Sequence, residues 1–361
     1  MMQVNCLSCG RPYPDAGVPY RCPRCGGLFD ETAALVWHEP DPSQPGIWRF
    51  WRTLAQDGPR VSLGEGRTPL VQVRIDRRLV YFKCEYANPT GSFKDRGAAA
   101  LVSFLASRGA TEAIEDSSGN AGAAFAAYAA RARIRARVFV PDSASGVKLL
   151  QMAAYGANVV KVPGSRSNAA ASAAQAASTG SAYASHAYLP HNLAGYATAA
   201  FEIVEQLRVA PGAVLLPAGQ GGLLLGLTRG FRALADAGAI DRLPQMIGVQ
   251  AAACAPLAAY FEAGIPGLGF VTEAPTIAEG VRIRSPLRME AVVRSVADTG
   301  GRFLAIGEPE ILAGRDSLAR LGFYVEPTSA LVWPALQALL PQLPDPVVLM
   351  LTGSGYKWRA S

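Results

Sequence analysis

The sequence predicts an α/β chain built on doubly wound parallel sheets, preceded by a small cysteine-rich module. Three observations carry this reading. Short apolar runs alternate with alanine-rich helical stretches from about Leu70 to the end of the chain. Polar loops rich in glycine and serine follow several of those runs, where open α/β sheets hold their ligands. Two CxxC knuckles, Cys6-Leu7-Ser8-Cys9 and Cys22-Pro23-Arg24-Cys25, stand near the N-terminus.

A length of 361 residues allows two or three domains and a large core. Half the residues are hydrophobic and 17% are charged, as in an ordinary soluble enzyme. The net charge of +6 comes from arginines scattered along the chain, with no dense basic block. That pattern implies mild attraction for anionic small molecules and argues against a nucleic-acid footprint. The segment Met1-Met2-Gln3-Val4-Asn5-Cys6 has no apolar signal core, and no apolar run is long enough to span a membrane. A cytoplasmic location is therefore expected, where cysteines serve as thiols or metal ligands.

Each knuckle is followed by glycine, Gly10 and Gly26, which lets the backbone turn its amides toward the thiolates. Four cysteines at this spacing predict a structural zinc ribbon over residues 1–32 with Cys6, Cys9, Cys22 and Cys25 as ligands. All four coordination positions are filled by sulfur, so the site is closed and not catalytic. Cys84 and Cys254 fall outside the pattern and are expected to pack as small buried hydrophobes. Residues 33–60, rich in tryptophan and proline, read as a connecting arm. Strands are expected at residues 113–115, 136–140, 158–162, 213–216, 246–249 and 347–351, with helices of about a dozen residues in many of the gaps.

Three loops and one lysine stand out. The chain has only five lysines, and a desolvated lysine, unlike arginine, can attack a carbonyl. Lys94 lies in Asn88-Pro89-Thr90-Gly91-Ser92-Phe93-Lys94-Asp95, a turn leading into a helix capped by Ser92 or Asp95. Ser117-Ser118-Gly119-Asn120 follows a strand and opens a helix. Its small side chains let a planar ring approach the backbone, and helix-start amides can hold a carboxylate. Pro217-Ala218-Gly219-Gln220-Gly221-Gly222-Leu223 lets several N–H groups converge on one phosphate. Leu351-Thr352-Gly353-Ser354 follows the last strand. His38, His186 and His191 form no motif with these elements and are expected to be packing or surface residues.

The lysine segment resembles that of the fold-type II pyridoxal-phosphate (PLP) enzymes, and within them it is most similar to threonine synthase. Val61-Ser62-Leu63-Gly64-Glu65-Gly66-Arg67-Thr68-Pro69-Leu70, Ala278-Glu279-Gly280 and Glu326-Pro327-Thr328-Ser329-Ala330 match other stretches of that family, and threonine synthases of one broad group carry a similar ribbon. The resemblance implies two doubly wound domains, a large one over 61–96 and 197–361 and a small one over 97–196. It makes Lys94 the catalytic residue that holds PLP covalently, with Phe93 beside it. It gives Asn120 the phenolic oxygen of PLP, Gly219, Gln220, Gly221, Gly222 and Leu223 the phosphate, and Thr352, with Ser354 second, the pyridine nitrogen. Ser117 and Ser118 take the substrate carboxylate. The implied reaction converts O-phospho-L-homoserine and water to L-threonine and phosphate. The alternative is threonine or serine dehydration, or β-replacement on another amino acid. A homodimer is implied, with no nucleic-acid or membrane partner.

Two departures bear on the substrate. Asn192 stands where the family places an arginine that grips the substrate phosphate, and Arg166, Arg282, Arg284 or Lys83 would have to compensate. The loop at 219–223 is closer to the glycine-rich form of the dehydratases and cysteine synthases than to the asparagine-containing loop usual in threonine synthases.

Overall fold

The computed structural model describes residues 3–358 apart from 57, 145 and 179. The expected start of the ribbon at residue 1 and end of the large domain at residue 361 lie outside the described residues. In chain order the strands are β1 (Val4–Cys6), β2 (Phe29–Glu31), β3 (Leu70–Ile75), β4 (Arg78–Lys83), β5 (Glu112–Glu115), β6 (Arg135–Pro141), β7 (Asn158–Val162), β8 (Ala182–Tyr183), β9 (Ala213–Pro217), β10 (Gln245–Ala251), β11 (Arg302–Ile306) and β12 (Val347–Met350). The helices are α1 (Lys94–Ser107), α2 (Asn120–Arg131), α3 (Val147–Ala154), α4 (Arg166–Ala177), α5 (His191–Leu207), α6 (Gly222–Asp236), α7 (Pro256–Gly267), α8 (Met289–Ala297), α9 (Glu308–Arg320), α10 (Pro327–Ala330) and α11 (Val332–Leu339).

The chain forms two compact units. One comprises residues 1–66, 88–90 and 94–196, the other 67–87, 91–93 and 197–361. The first unit carries an all-parallel sheet in the order β7-β6-β5-β8. Ile114, Phe139, Ala173 and Tyr183 pack into one buried cluster there. Helix α2 reads Asn-Ala-Gly-Ala-Ala-Phe-Ala-Ala-Tyr, and alanine both favours the helix and allows close packing. Close approach is enforced at Gly122, where a Cβ would lie 2.0 Å from the carbonyl oxygen of Ser117. The β1–β2 pair is antiparallel and separate from this sheet. The tryptophan-rich arm is more than a connection: Ile47, Trp48, Phe50 and Leu54 are buried, and the Trp48 indole donates to the Val61 carbonyl at 2.8 Å.

The second unit holds a six-stranded sheet in the order β11-β10-β9-β12-β4-β3. Its strands are parallel except β3, which runs antiparallel to β4. β9 and β12 are buried along their whole length, as central parallel strands covered on both faces require. Val80, Phe82, Leu215, Val249, Leu349 and Trp333 belong to one core cluster. The Phe82 and Phe323 rings lie 4.7 Å apart, and burying each such side chain contributes about 2–3 kcal/mol.

Candidate active site

Lys94 is the first residue of α1. Asp95, the second, turns its carboxylate back to accept from the Thr90 N–H at 2.7 Å and from the Thr90 hydroxyl. The acid therefore braces the turn from inside the helix, where it also suits the positive end of the helix dipole. Lys94 is half-buried, and desolvation pulls its amine down to about 8, against the raising pull of Glu115. The amine lies over the Tyr196 ring, 5.7 Å from its centre. Close packing of α1 against the start of α5 rests on two glycines. A Cβ on Gly195 would meet the Arg96 carbonyl oxygen at 2.1 Å, and one on Gly97 would meet the Tyr196 ring at 2.5 Å.

Lys94, Glu115, Phe125, His186, Asn192 and Tyr196 line one pocket in this unit. Glu115 ends β5 and is fully buried. His186 follows β8, and its Nδ1 is 2.7 Å from a Glu115 carboxylate oxygen while its backbone N–H donates to the other at 3.2 Å. Burial pushes the Glu115 carboxyl up to about 8 and the His186 imidazole well below its ordinary value. His186 is thus neither a packing nor a surface residue. Sequence spacing could not reveal it, because 71 residues separate it from Glu115. Parallel pairing of β5 with β8 brings the two strand ends side by side. His191, by contrast, packs: its ring stacks on Phe104 at 3.5 Å. Asn192 is buried and donates to the His186 carbonyl at 2.7 Å. Ser117, Ser118 and Asn120 sit at the β5–α2 junction, with the Ser117 hydroxyl accepting from the Gly119 N–H at 3.2 Å and Asn120 opening α2.

In the second unit, residues 219–223 link β9 to α6. Gly221 has φ +78°, and a Cβ there would meet Val292 at 2.5 Å. A Cβ on Gly219 would lie 2.8 Å from the Gly280 carbonyl oxygen. The Gln220 side chain accepts from the Leu287 N–H at 3.1 Å. The loop thus presents the N-terminus of a long helix with side chains kept small. After β12, the Thr352 hydroxyl is 3.0 Å from the Ser329 hydroxyl, and the Thr352 carbonyl accepts from the Phe93 N–H at 3.0 Å. Ser354 is buried and its hydroxyl accepts from the Tyr356 N–H. Among the described residues the buried Ser92 hydroxyl has no hydrogen-bond partner, which suits a polar ligand beside it.

The sulfurs of Cys6, Cys9, Cys22 and Cys25 lie within 4.8 Å of one another. Gly10 and Gly26 adopt φ near +70°, and their N–H groups bond back to Cys6 and Cys22. Burial pushes the Cys22 thiol up, but the Arg24 and Cys25 backbone N–H groups and neighbouring thiols outweigh it, bringing it to about 7.

The sequence profile of the pyridoxal-phosphate dependent enzymes matches residues 61–353. Threonine synthase from Methanosarcina acetivorans is 32% identical, over 91% of this chain and 85% of its own. The Mycobacterium tuberculosis threonine synthase is 35% identical over 89% and 90%, and that of Synechocystis 36% over 86% and 82%. The chain belongs to the threonine synthase family of pyridoxal-phosphate-dependent enzymes. Among solved structures, the threonine deaminase of T.th. is similar with a TM-score of 0.70 at 28% identity, covering 87% of this chain and 98% of that one. An O-acetylserine dependent cystathionine beta-synthase from Helicobacter pylori gives 0.68 at 25% identity, covering 82% and 95%. PLP is the family's cofactor, and a desolvated lysine amine suits its aldehyde.

Of the four cations that could replace the family's arginine, Lys83 is committed elsewhere. Its buried ammonium donates to Glu202, Gln206 and the Thr68 carbonyl, all at 2.8–2.9 Å. Arg282 lies 3.7 Å from Glu273, and Arg284 donates to the Leu268 carbonyl. Arg166, exposed at the start of α4, lowers the proton affinity of Lys94 through its charge.

Proposed function

We propose that this chain is a threonine synthase, converting O-phospho-L-homoserine and water to L-threonine and phosphate. The observation that carries the reading is the Lys94 amine, desolvated at the start of α1 within the family's lysine segment. PLP, when bound, supplies the electron sink. Lys94 holds the cofactor and, once released from it, moves protons at the substrate's α and β carbons. A pKa near 8 keeps a sizeable fraction of that amine unprotonated at neutral pH, as a general base requires. Asn120 contacts the cofactor's phenolic oxygen, and residues 219–223 hold its phosphate. Thr352, with Ser354 second, meets the ring nitrogen with a neutral hydroxyl that does not hold it protonated. Ser117 and Ser118 receive the substrate carboxylate, and Arg166 is the exposed cation for its phosphate.

The same reading includes a structural zinc on Cys6, Cys9, Cys22 and Cys25, supported by the clustered sulfurs. It also includes the division into ribbon 1–32, arm 33–60, small domain 97–196 and large domain 61–96 with 197–361. A homodimer rests on the family resemblance, and a cytoplasmic location is kept as part of the same reading; among the described residues no helix is long and apolar enough to cross a membrane.

The test is direct. PLP-loaded protein is mixed with O-phospho-L-homoserine, and phosphate and threonine are measured together, with Lys94→Ala as control. Equal release of both, lost in the variant, is expected. A second reading, threonine or serine dehydration, is favoured by Asn192 in place of the arginine. Keto acid and ammonia from threonine, with no phosphate from O-phospho-L-homoserine, would establish it instead.

A further inference from the structure

The Lys94 pocket contains a buried acid that the roles above do not use. Glu115 and His186 line it with Lys94, and the carboxylate is gripped from two sides by one residue, through the His186 ring and its backbone N–H. An ionised carboxylate in an enclosed site needs a nearby positive charge and hydrogen bonds. Both are present: the amine from α1, and from the loop after β8 the His186 backbone N–H with the His186 ring beside it.

We propose that Glu115, held in place by His186, is the counter-ion of Lys94 and a positioning residue that decides how readily the amine gives up its proton. This rests on Lys94 being the reactive amine, as argued above. The charged and titratable groups around the pair are Lys94 from α1, Glu115 and Asp116 from the end of β5, Arg166 from α4, Tyr183 and His186 from β8 and its following loop, and Tyr196 from α5. Of these, Glu115 is the carboxylate that shares the pocket wall with the amine. Its charge favours the ammonium, while desolvation and Arg166 oppose it. When Lys94 loses its proton, the carboxylate loses its partner and can take a proton itself. The pair thereby keeps its total charge near constant as the amine changes state.

The arrangement predicts the effect of each variant. Glu115→Gln removes the charge but keeps the shape and an acceptor for His186. The Lys94 amine should then lose its proton about one pH unit lower. His186→Phe removes the ring partner and leaves only the backbone N–H on the carboxylate, so it should move Lys94 the same way by less. His186→Asn, which retains a donor, should stay closer to the native protein.

The experiment is competitive labelling of the full-length, PLP-free protein with trace acetic anhydride between pH 6 and 10, followed by quantification of the Lys94 peptide. It reads the amine itself and needs no turnover. A companion titration of the visible absorption of the PLP-loaded protein checks that each variant still binds the cofactor. A lower half-labelling pH in Glu115→Gln, restored toward native in Glu115→Asp, supports the proposal. An unchanged Lys94 profile in Glu115→Gln overturns it, even if the native protein makes threonine. If Glu115→Gln does not fold, the two His186 variants decide: identical Lys94 profiles in Phe and Asn overturn the proposal. Absence of visible absorption in the native PLP-loaded protein would instead sink the functional reading.

Discussion

At the scale of single residues, function here opposes stability. Lys94 has a pKa near 8 in the folded protein against 10.5 for an ordinary lysine. The folded state therefore binds this proton less tightly than the unfolded chain does. The resulting penalty is absent above pH 10.5 and complete below about pH 8. Each pKa unit corresponds to about 1.4 kcal/mol, so the burden at neutral pH is about 3 kcal/mol. Lys94→Met should remove it while filling similar space, and Glu115, which loses the lowering pull of the Lys94 charge in the variant, takes up a proton in response. We expect PLP-free Lys94→Met to be about 2–3 kcal/mol more stable than the native protein to urea at pH 7, with a clearly smaller gain at pH 10. Equal gains at the two pH values would assign the effect to packing instead. Lys83 makes the contrast: it is buried too, but bound to Glu202, Gln206 and the Thr68 carbonyl, so its charge is structural.

Elements meet most tightly where the pocket is built. Helices α1 and α5 approach so closely that Gly195 faces the Arg96 carbonyl and Gly97 faces the Tyr196 ring. Gly195→Ala would drive a methyl into a backbone oxygen that cannot move without shifting the start of α1. A loss of about 2–3 kcal/mol is expected in urea unfolding, together with faster loss of PLP on dialysis, because Lys94 and Tyr196 shift together. A variant that melts early yet retains PLP as well as the native protein would show that the contact supports the fold alone. Neither glycine could be singled out from the sequence, since a glycine inside an alanine-rich helix carries no sign of what it faces. Legibility elsewhere follows the same physics. Strands β9, β10 and β12 are readable in the sequence because parallel strands buried on both faces are continuous apolar runs, and β5, β6 and β7 through the shorter apolar stretches at their centres. β3 and β4 are not, since Arg74 within β3 and Arg78 and Lys83 at the ends of β4 break up their apolar pattern toward the edge of the sheet. β8 is only two residues long, too short for any periodicity, yet it delivers His186 to the pocket. The lysine segment and the glycine loops are legible because their chemistry lies in contiguous residues; the Glu115–His186 pair is not, because strand pairing creates it.

At the scale of the whole chain, the cysteine module has consequences beyond its own few residues. Tyr13 packs edge-on against Phe29 of the module at 4.6 Å, and also against Phe104 of α1 at 5.7 Å and His191 of α5 at 5.2 Å. Arg108, just after α1, donates to the Pro14 carbonyl at 2.8 Å, and Arg21 reaches the Tyr188 hydroxyl at 3.1 Å. Its own core consists of Val4, Cys6, Cys22 and Phe29, with Cys9 and Tyr13 against them, too few apolar groups to order two three-residue strands unaided. Metal binding can supply what such a core lacks, since the free energy of closing a four-thiolate site goes directly into folding. We therefore expect the purified protein to release about one zinc per chain when its thiols are titrated with a mercurial in the presence of a metal indicator. Cys25→Ser, at the most exposed ligand, should lower the melting midpoint by about 5 °C, or roughly 2 kcal/mol for a domain of this size. Because α1 begins with Lys94 and α5 carries Asn192 and Tyr196, the same variant should also hold PLP less firmly than the native protein. A metal-free native protein that melts no lower than its zinc-loaded form would mean that Tyr13 and the β1–β2 pairing suffice to seat the module, and that the four cysteines have lost their structural task.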